Sequence, residues 1–139
     1  MNKKTMENRP KDRDFKNRVA HDVAPISYTV DAKGRTLGRV ASEAASALLG
    51  KKSVHFVKNK VLPVTVTITN ASKMKLTEKR IANNTYIHYT GYPGGLRERT
   101  MPMLIEKKGI GEVLRRTVDG MIPRNKLRKE RMKRLTITD

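Results

Sequence analysis

The residues best suited to chemistry lie together in one stretch, Tyr89 to Leu96, which reads YTGYPGGL. Tyr86, Tyr89 and Tyr92 are three of the four tyrosines of the chain, and all lie in this stretch or just before it. A tyrosine ring can stack on an unpaired base or a ribose while its hydroxyl still donates a hydrogen bond. This stretch therefore favours ligand binding rather than bond cleavage.

The glycines of the same stretch predict a sharply bent loop. Gly91, Gly94 and Gly95 allow positive φ and the close approach of another backbone, and Pro93 stiffens the bend. Arg97 and Arg99 follow at once and are within reach of phosphates. The alternative is a tight surface turn whose tyrosines fold back onto the core. The charge of the whole chain makes RNA contact the favoured interpretation.

Other stretches approach nucleotide-binding or catalytic motifs without completing them. The stretch LLGKKS does not match the phosphate-loop pattern G-x-x-x-x-G-K-[ST]. Ala45 stands where the pattern has its first glycine, and Lys52 stands where it has serine or threonine. The stretch DAKGRTLGR has two glycines but not the G-x-G-x-x-G pattern. The three histidines lack metal-ligand spacing, and no nucleophile has a positioned base. The sequence thus predicts no enzymatic activity, no cofactor and no metal site.

The net charge of the chain indicates a polyanionic partner. Thirty-one lysines and arginines stand against 13 acids, which gives +18 at pH 7. A folded chain with this surplus repels itself unless a polyanion neutralises it, and nucleic acid fits that role. A membrane surface is the rival partner, but it requires a bulky apolar face, and the chain has no tryptophan and two phenylalanines.

Cysteine and targeting patterns indicate an intracellular protein. The absence of cysteine excludes disulfides and thiol catalysis within this sequence. The first twenty residues contain no apolar segment of the kind found in secretory signals, and no apolar run approaches the roughly 20 residues of a membrane span.

Hydrophobic periodicity predicts an α/β fold in one domain over residues 26–139, after a flexible basic arm over residues 1–25. Lys51 and Lys52 are expected to follow a helix C-terminus, where they complement the helix dipole. Asp31 is expected to accept backbone donors in a turn, and Arg35 and Arg39 to share one face. The predicted strands are 26–31, 64–69 and 85–89, and the predicted helices are 37–48, 110–121 and 125–133.

The C-terminal stretch GMIPRNKLRKERMKRL is the most basic part of the chain for its length. On a helix that starts after Pro123, the residues Arg124, Arg128 and Arg131 would fall on one side. The remaining bases leave almost no neutral face, so such a helix would have little stability in water alone. We therefore expect phosphates to cover it.

These motifs together resemble the family of large ribosomal subunit protein thirteen, the ribosomal protein L-thirteen family, in its bacterial or organellar form. The resemblance covers about residues 28–135. It depends on four stretches in the family's order and spacing: DAKGRTLGRVAS, NASKMKLTEKR, YIHYTGYPGGL and VDGMIPRNKLRKERMKRL.

The resemblance implies a compact α/β domain with helices around a small, mostly parallel sheet, which we expect to have four strands. It also implies binding to large-subunit ribosomal RNA beside neighbouring large-subunit proteins, a structural role in early subunit assembly and translation, and no enzymatic step. The expected location is a ribosome, in the cytoplasm or in an organelle. Carried over by position, and joined by Arg97, the candidate RNA-contacting residues are Arg35, Arg39, Lys51, Lys52, His88, Tyr89, Thr90, Gly91, Tyr92, Pro93, Gly94, Gly95, Arg97, Arg124, Lys126, Arg128, Lys129, Arg131, Lys133 and Arg134.

Two other functions remain open from the residues. One is a free-standing nucleotide-binding enzyme of α/β type, which would need an intact glycine fingerprint or a carboxylate–metal cluster. The other is regulatory binding to a messenger RNA, which would use the same basic surface.

Overall fold

The structure is a computed structural model that describes residues 24–139, so residues 1–23 of the predicted arm lie outside it. Five strands, five α-helices and a short 3-10 helix make up the described chain. In order, they are β1 (Ile26–Asp31), α1 (Leu37–Leu48), β2 (Val64–Thr69), the 3-10 helix Ala71–Lys73, α2 (Glu78–Asn83), β3 (Thr85–Tyr89), β4 (Leu96–Thr100), α3 (Met101–Lys108), α4 (Ile110–Met121), α5 (Arg128–Lys133) and β5 (Leu135–Ile137).

A three-stranded parallel sheet forms the centre of the domain, in the order β1-β2-β5. Ile26 is opposite Val64, and Val66 is opposite Leu135. The residues Val64, Val66 and Ile68 of β2 are buried, while the threonines between them are not. This alternation arises because successive side chains of a strand point to opposite faces. The strands predicted at 26–31 and 64–69 are confirmed.

Two long helices close the core on the buried side of the sheet. The helix α1 packs on β1, β2 and α4. Leu37, Val40 and Leu48 of α1 are buried with four alanines of the same helix, and α4 buries Val113, Leu114 and Val118. Both helices have the predicted bounds, because each presents apolar residues at three- and four-residue steps.

Strands β3 and β4 form a separate antiparallel hairpin, so the expectation of one four-stranded sheet is wrong. Thr85 is opposite Thr100, and Tyr89 is opposite Leu96. A parallel connection needs a crossover of about a dozen residues or more, and the loop 90–95 is too short for one. The chain after the glycine loop can therefore pair with β3 only in the antiparallel sense.

Four of the strands and α-helices have no counterpart among the sequence predictions. The helix α2 buries none of its residues, and β5 has three residues, so neither shows a usable period. The strand β4 is rich in charge, with the sequence LRERT. The helix α3 carries Pro102 near its start and buries Met101 and Leu104. None of these elements carries a local pattern from which the sequence could have predicted it.

Candidate nucleic-acid interface

The glycine loop is the tip of the β3–β4 hairpin. The backbone N–H of Gly95 donates to the carbonyl of Tyr92 at 2.9 Å, and that of Thr90 donates to the carbonyl of Gly95 at 3.2 Å. Pro93 follows Tyr92, and Gly94 has φ of 71°, which is the arrangement of a type II turn. The positive φ explains why glycine occupies position 94.

Gly95 is required for a different reason, which is close contact. A Cβ atom at this position would lie 1.9 Å from Oγ1 of Thr90 and 2.9 Å from the carbonyl oxygen of Tyr92. Neither distance is tolerable, and the second neighbour is backbone that cannot rotate away. The sharp bend predicted for this stretch is confirmed.

The tyrosines of the hairpin divide into two exposed rings and one half-buried ring. Tyr89 is 58% exposed and Tyr92 is 75% exposed. Tyr86, in contrast, packs against the core, and its buried hydroxyl lies near the Asn84 side chain without a hydrogen bond of normal geometry. Burial raises the pKa of the Tyr86 hydroxyl. Tyr89 and Tyr92 are therefore free to stack on a ligand. The alternative of tyrosines folded back onto the core describes only Tyr86.

The turn after β1 brings together two of the candidate bases around one carboxylate. Nη2 of Arg35 lies 2.6 Å from Oε2 of Glu43, and Nζ of Lys52 lies 3.1 Å from Oε1 of the same residue. The Arg35 hydrogen bond is the main cause of the lowered pKa of Glu43, and the Lys52 hydrogen bond adds to it. Both bases therefore have an internal partner with which a phosphate would compete.

The other residues of this region agree in part with their predicted roles. Asp31 accepts the backbone N–H of Lys33 at 3.0 Å, which lowers the pKa of the carboxyl group and confirms the predicted turn. Arg39 is exposed in the first turn of α1, but Arg35 precedes the helix and reaches toward Glu43. Lys51 is exposed just beyond the C-terminal end of α1, as predicted.

The C-terminal helix α5 has two unlike faces. Its arginine side faces the protein: Arg131 is 2% exposed and donates from Nη2 to the carbonyl of Lys60 at 3.1 Å. Arg134, just after the helix, donates to the carbonyl of Leu62. Arg128 forms an ion pair with Asp119 of α4. The helix therefore has contacts with its own domain that the charge pattern did not predict.

The lysines form the outer side of the same segment. Lys126, Lys129 and Lys133 are exposed, as is Arg124 before the helix. The helix also starts at Arg128 rather than at residue 125. The sequence did not separate these two classes because arginine and lysine count alike in a charge pattern. Of the bases expected in this C-terminal segment, the structure thus leaves Arg124 and three lysines facing solvent.

A cavity beneath the hairpin contains residues that the candidate set omitted. It has a volume of about 250 Å³. Arg116 of α4 enters it beside the half-buried Tyr86, with the guanidinium carbon 5.3 Å from the ring centroid. Periodicity places Arg116 only on the polar side of a helix, so this contact could not be predicted from the sequence. The cavity is lined by Tyr86, Ile87, His88, Arg97, Arg99 and Arg116, which we call the arginine pocket.

Residues 24–139 contain neither a candidate metal site nor a candidate membrane span. No group of three or more histidine or acidic side chains is placed to hold a metal ion within this range. None of the helices in the same range is long and apolar enough to cross a membrane.

Comparisons with known proteins identify what the chain is similar to. Residues 26–138 match the family model described as ribosomal protein L13. The large ribosomal subunit protein uL13 of Geobacter sulfurreducens is 40% identical over 110 residues, which span 79% of this chain and 76% of that protein. The protein of the same name from Mycoplasmopsis synoviae is 42% identical over 110 residues, 79% of this chain and 76% of that protein. The large ribosomal subunit protein uL13m of Schizosaccharomyces pombe is 39% identical over 116 residues, 84% of this chain and 74% of that protein.

Proposed function

The chain belongs to the ribosomal protein L13 family of large-subunit proteins, and we propose that it acts in the large subunit by binding ribosomal RNA. The role is structural: the protein holds RNA segments together during early assembly and in the finished subunit, and it has no catalytic step. Its place of action is a ribosome of the cytoplasm or of an organelle. Similar proteins include bacterial uL13 and the uL13m of fission yeast.

One observation carries this proposal: the exposed tip of the β3–β4 hairpin combines aromatic faces, accessible backbone and cations. Tyr89 and Tyr92 are mostly exposed there, and the side chain of Arg97 follows on β4. A base or ribose can stack on either ring while Arg97 neutralises a nearby phosphate. The positive-φ glycines make the loop narrow enough for close approach to an RNA backbone.

The remaining contacts are electrostatic and come from solvent-facing bases on two other parts of the domain. Phosphate contacts position a protein on RNA but do not read its sequence. We therefore expect RNA shape to provide most of the specificity. The bases proposed for these contacts are Arg39 and Lys51 at the two ends of α1, with Arg124, Lys126, Lys129 and Lys133 around α5.

The hairpin also carries an apolar outer face, which we assign to neighbouring large-subunit components. Ile87 is 61% exposed and Leu96 is 57% exposed, and both lie on the same side of the hairpin as Tyr89. Exposed apolar side chains grouped in this way commonly mark a contact surface.

The test is whether a tagged chain travels with large ribosomal subunits. We expect the chain to cosediment with large subunits and with assembly intermediates, and to stay with them through a low-salt wash. A chain found only among free proteins in such a gradient would refute the proposal. A second measurement addresses the enzyme alternative: large-subunit RNA is expected to raise the thermal unfolding midpoint, whereas ATP or NAD alone is not.

A further inference from the structure

The register of the β3–β4 hairpin places four polar side chains on one face. Tyr86 is directly opposite Arg99, and His88 is directly opposite Arg97. Directly paired residues of an antiparallel ladder point to the same side, and residues two apart on a strand do too. Glu98 is paired with Ile87 and therefore lies on the other face. The charge on the inner face of the hairpin is thus purely basic.

Helix α4 adds a third guanidinium to this face and forms the floor of the arginine pocket. Nε of Arg116 donates to Oε1 of Glu112 at 3.0 Å, and the guanidinium carbon lies 5.3 Å from the Tyr86 ring centroid. These two contacts hold Arg116 in place and leave its terminal N–H groups available. An arginine guanidinium presents five donors in a fixed fork.

The two hairpin arginines of the arginine pocket have no partner in the described chain. The side chains of Arg97 and Arg99 form no hydrogen bond or ion pair within residues 24–139. Guanidinium groups concentrated without an anion repel one another. One anion in the pocket would relieve that repulsion.

We propose that the arginine pocket binds a single internucleotide phosphate of large-subunit RNA. Arg97 and Arg99 donate to its oxygens from the hairpin, while Arg116 donates from the floor. Arginine suits this role because its planar fork matches phosphate oxygens in a bidentate way. The proposal rests on the function proposed above, and it adds Arg116 to the residues that contact RNA and assigns Arg97 and Arg99 to one phosphate. The hairpin would then use its tip for bases and its inner face for the backbone.

The experiment is a mutant cycle on RNA binding with the full chain. Arg97→Gln, Arg99→Gln and the double variant are titrated with a large-subunit RNA fragment at several salt concentrations. We expect each single change to weaken binding about tenfold or more, because a charge-assisted hydrogen bond is lost. Since both arginines hold one phosphate, the double variant is expected to lose less than the product of the single effects. Its log–log salt slope is expected to fall by about one unit rather than two.

The matched control removes the same charge from another element. Lys107 and Lys108 are exposed in the last turn of α3 and do not line the arginine pocket. Lys107→Gln with Lys108→Gln is expected to weaken binding much less than the pocket double variant. Arg99→Lys keeps the charge without the fork, and it is expected to retain the salt slope while losing affinity. Unfolding midpoints of all variants exclude loss of the fold as the cause.

Two outcomes would refute the proposed phosphate site without refuting the proposed function. One is an equal loss of RNA affinity in the pocket and control variants. The other is a double variant whose affinity loss equals the product of the single losses and whose salt slope changes by two units, which would mean that the arginines bind separate phosphates. Inorganic phosphate at constant ionic strength is the probe for a free anion, and strong competition with RNA would assign the pocket to that anion. If the unmodified chain does not bind the RNA fragment at all, the function proposed above fails as well, and that result is distinct from the others.

Discussion

At the scale of single residues, Glu43 connects two bases that are far apart in the sequence. Its carboxylate contacts Arg35 and Lys52, and the ammonium of Lys52 also lies 5.5 Å from the ring centroid of Tyr28. Arg35 belongs to the turn after β1, and Lys52 follows the end of α1. The ion pairs therefore fix the two ends of α1 relative to one carboxylate.

We expect Glu43→Gln to lower the free energy of unfolding at pH 7 by up to about 1 kcal/mol, since the pairs are partly exposed. The lowered pKa of Glu43 gives the sign of the pH dependence. Stability from this group is present above its ordinary pKa of 4.5 and is lost as the pH falls through the lower folded value. Urea unfolding between pH 7 and acid should therefore show a flatter pH dependence in the variant.

Glu106→Gln is the matched control for this change. Glu106 is exposed on α3 and forms no ion pair with the described residues. It is expected to change the unfolding free energy by less than about 0.5 kcal/mol. An equal loss in both variants would show that general charge, rather than the contacts of Glu43, decides the result.

At the scale of elements, the sequence predicted what local periodicity can encode. The helices α1 and α4 and the strand β2 were predictable because each shows one period over its full length. The pairing of β3 with β4 was not predictable, because it depends on the short glycine loop that brings the two strands together. The orientation of α5 was not predictable either, because an arginine that donates to carbonyls carries the same charge as one in solvent.

The two faces of α5 predict opposite outcomes for two charge reversals. Arg131→Glu places a carboxylate at a 2%-exposed position beside the carbonyl of Lys60, so we expect a loss of about 3–5 kcal/mol of unfolding free energy. Lys129→Glu changes an exposed side chain and is expected to alter stability by less than about 0.5 kcal/mol. In RNA titrations, Lys129→Glu is expected to weaken binding while the fold stays intact.

Urea unfolding and RNA titration of the same two proteins separate the roles of the faces. A stable Arg131→Glu protein would contradict the inward placement of this side chain. A Lys129→Glu protein that binds RNA as well as the unmodified chain would remove the outer face of α5 from the proposed interface. The combination of Arg128→Glu with Arg131→Glu cannot make this separation, because both arginines have contacts inside the domain.

At the scale of the whole molecule, positive charge greatly exceeds what the fold neutralises. Residues 24–139 contain 24 lysines and arginines and nine acids. The ion pairs found within this range involve four of those bases: Arg35, Lys52, Arg116 and Arg128. The family could be predicted from the order of the motifs. The arginine pocket could not, since it is built from β3, β4 and α4 together.

This surplus of charge predicts that salt acts in opposite directions on folding and on binding. Raising the ionic strength from about 10 mM to about 150 mM shortens the screening length from about 30 Å to about 8 Å. Self-repulsion in the free chain then weakens, so its thermal unfolding midpoint is expected to rise over this range. Over the same range, affinity for a large-subunit RNA fragment is expected to fall with a log–log slope on the order of several units, because each neutralised phosphate releases counterions.

Thermal scans of the free chain and RNA titrations in the same buffers measure the two trends. A salt-independent affinity would mean that phosphate neutralisation does not hold the complex together, and a midpoint that falls with added salt would mean that the free domain does not carry the repulsion that its composition implies.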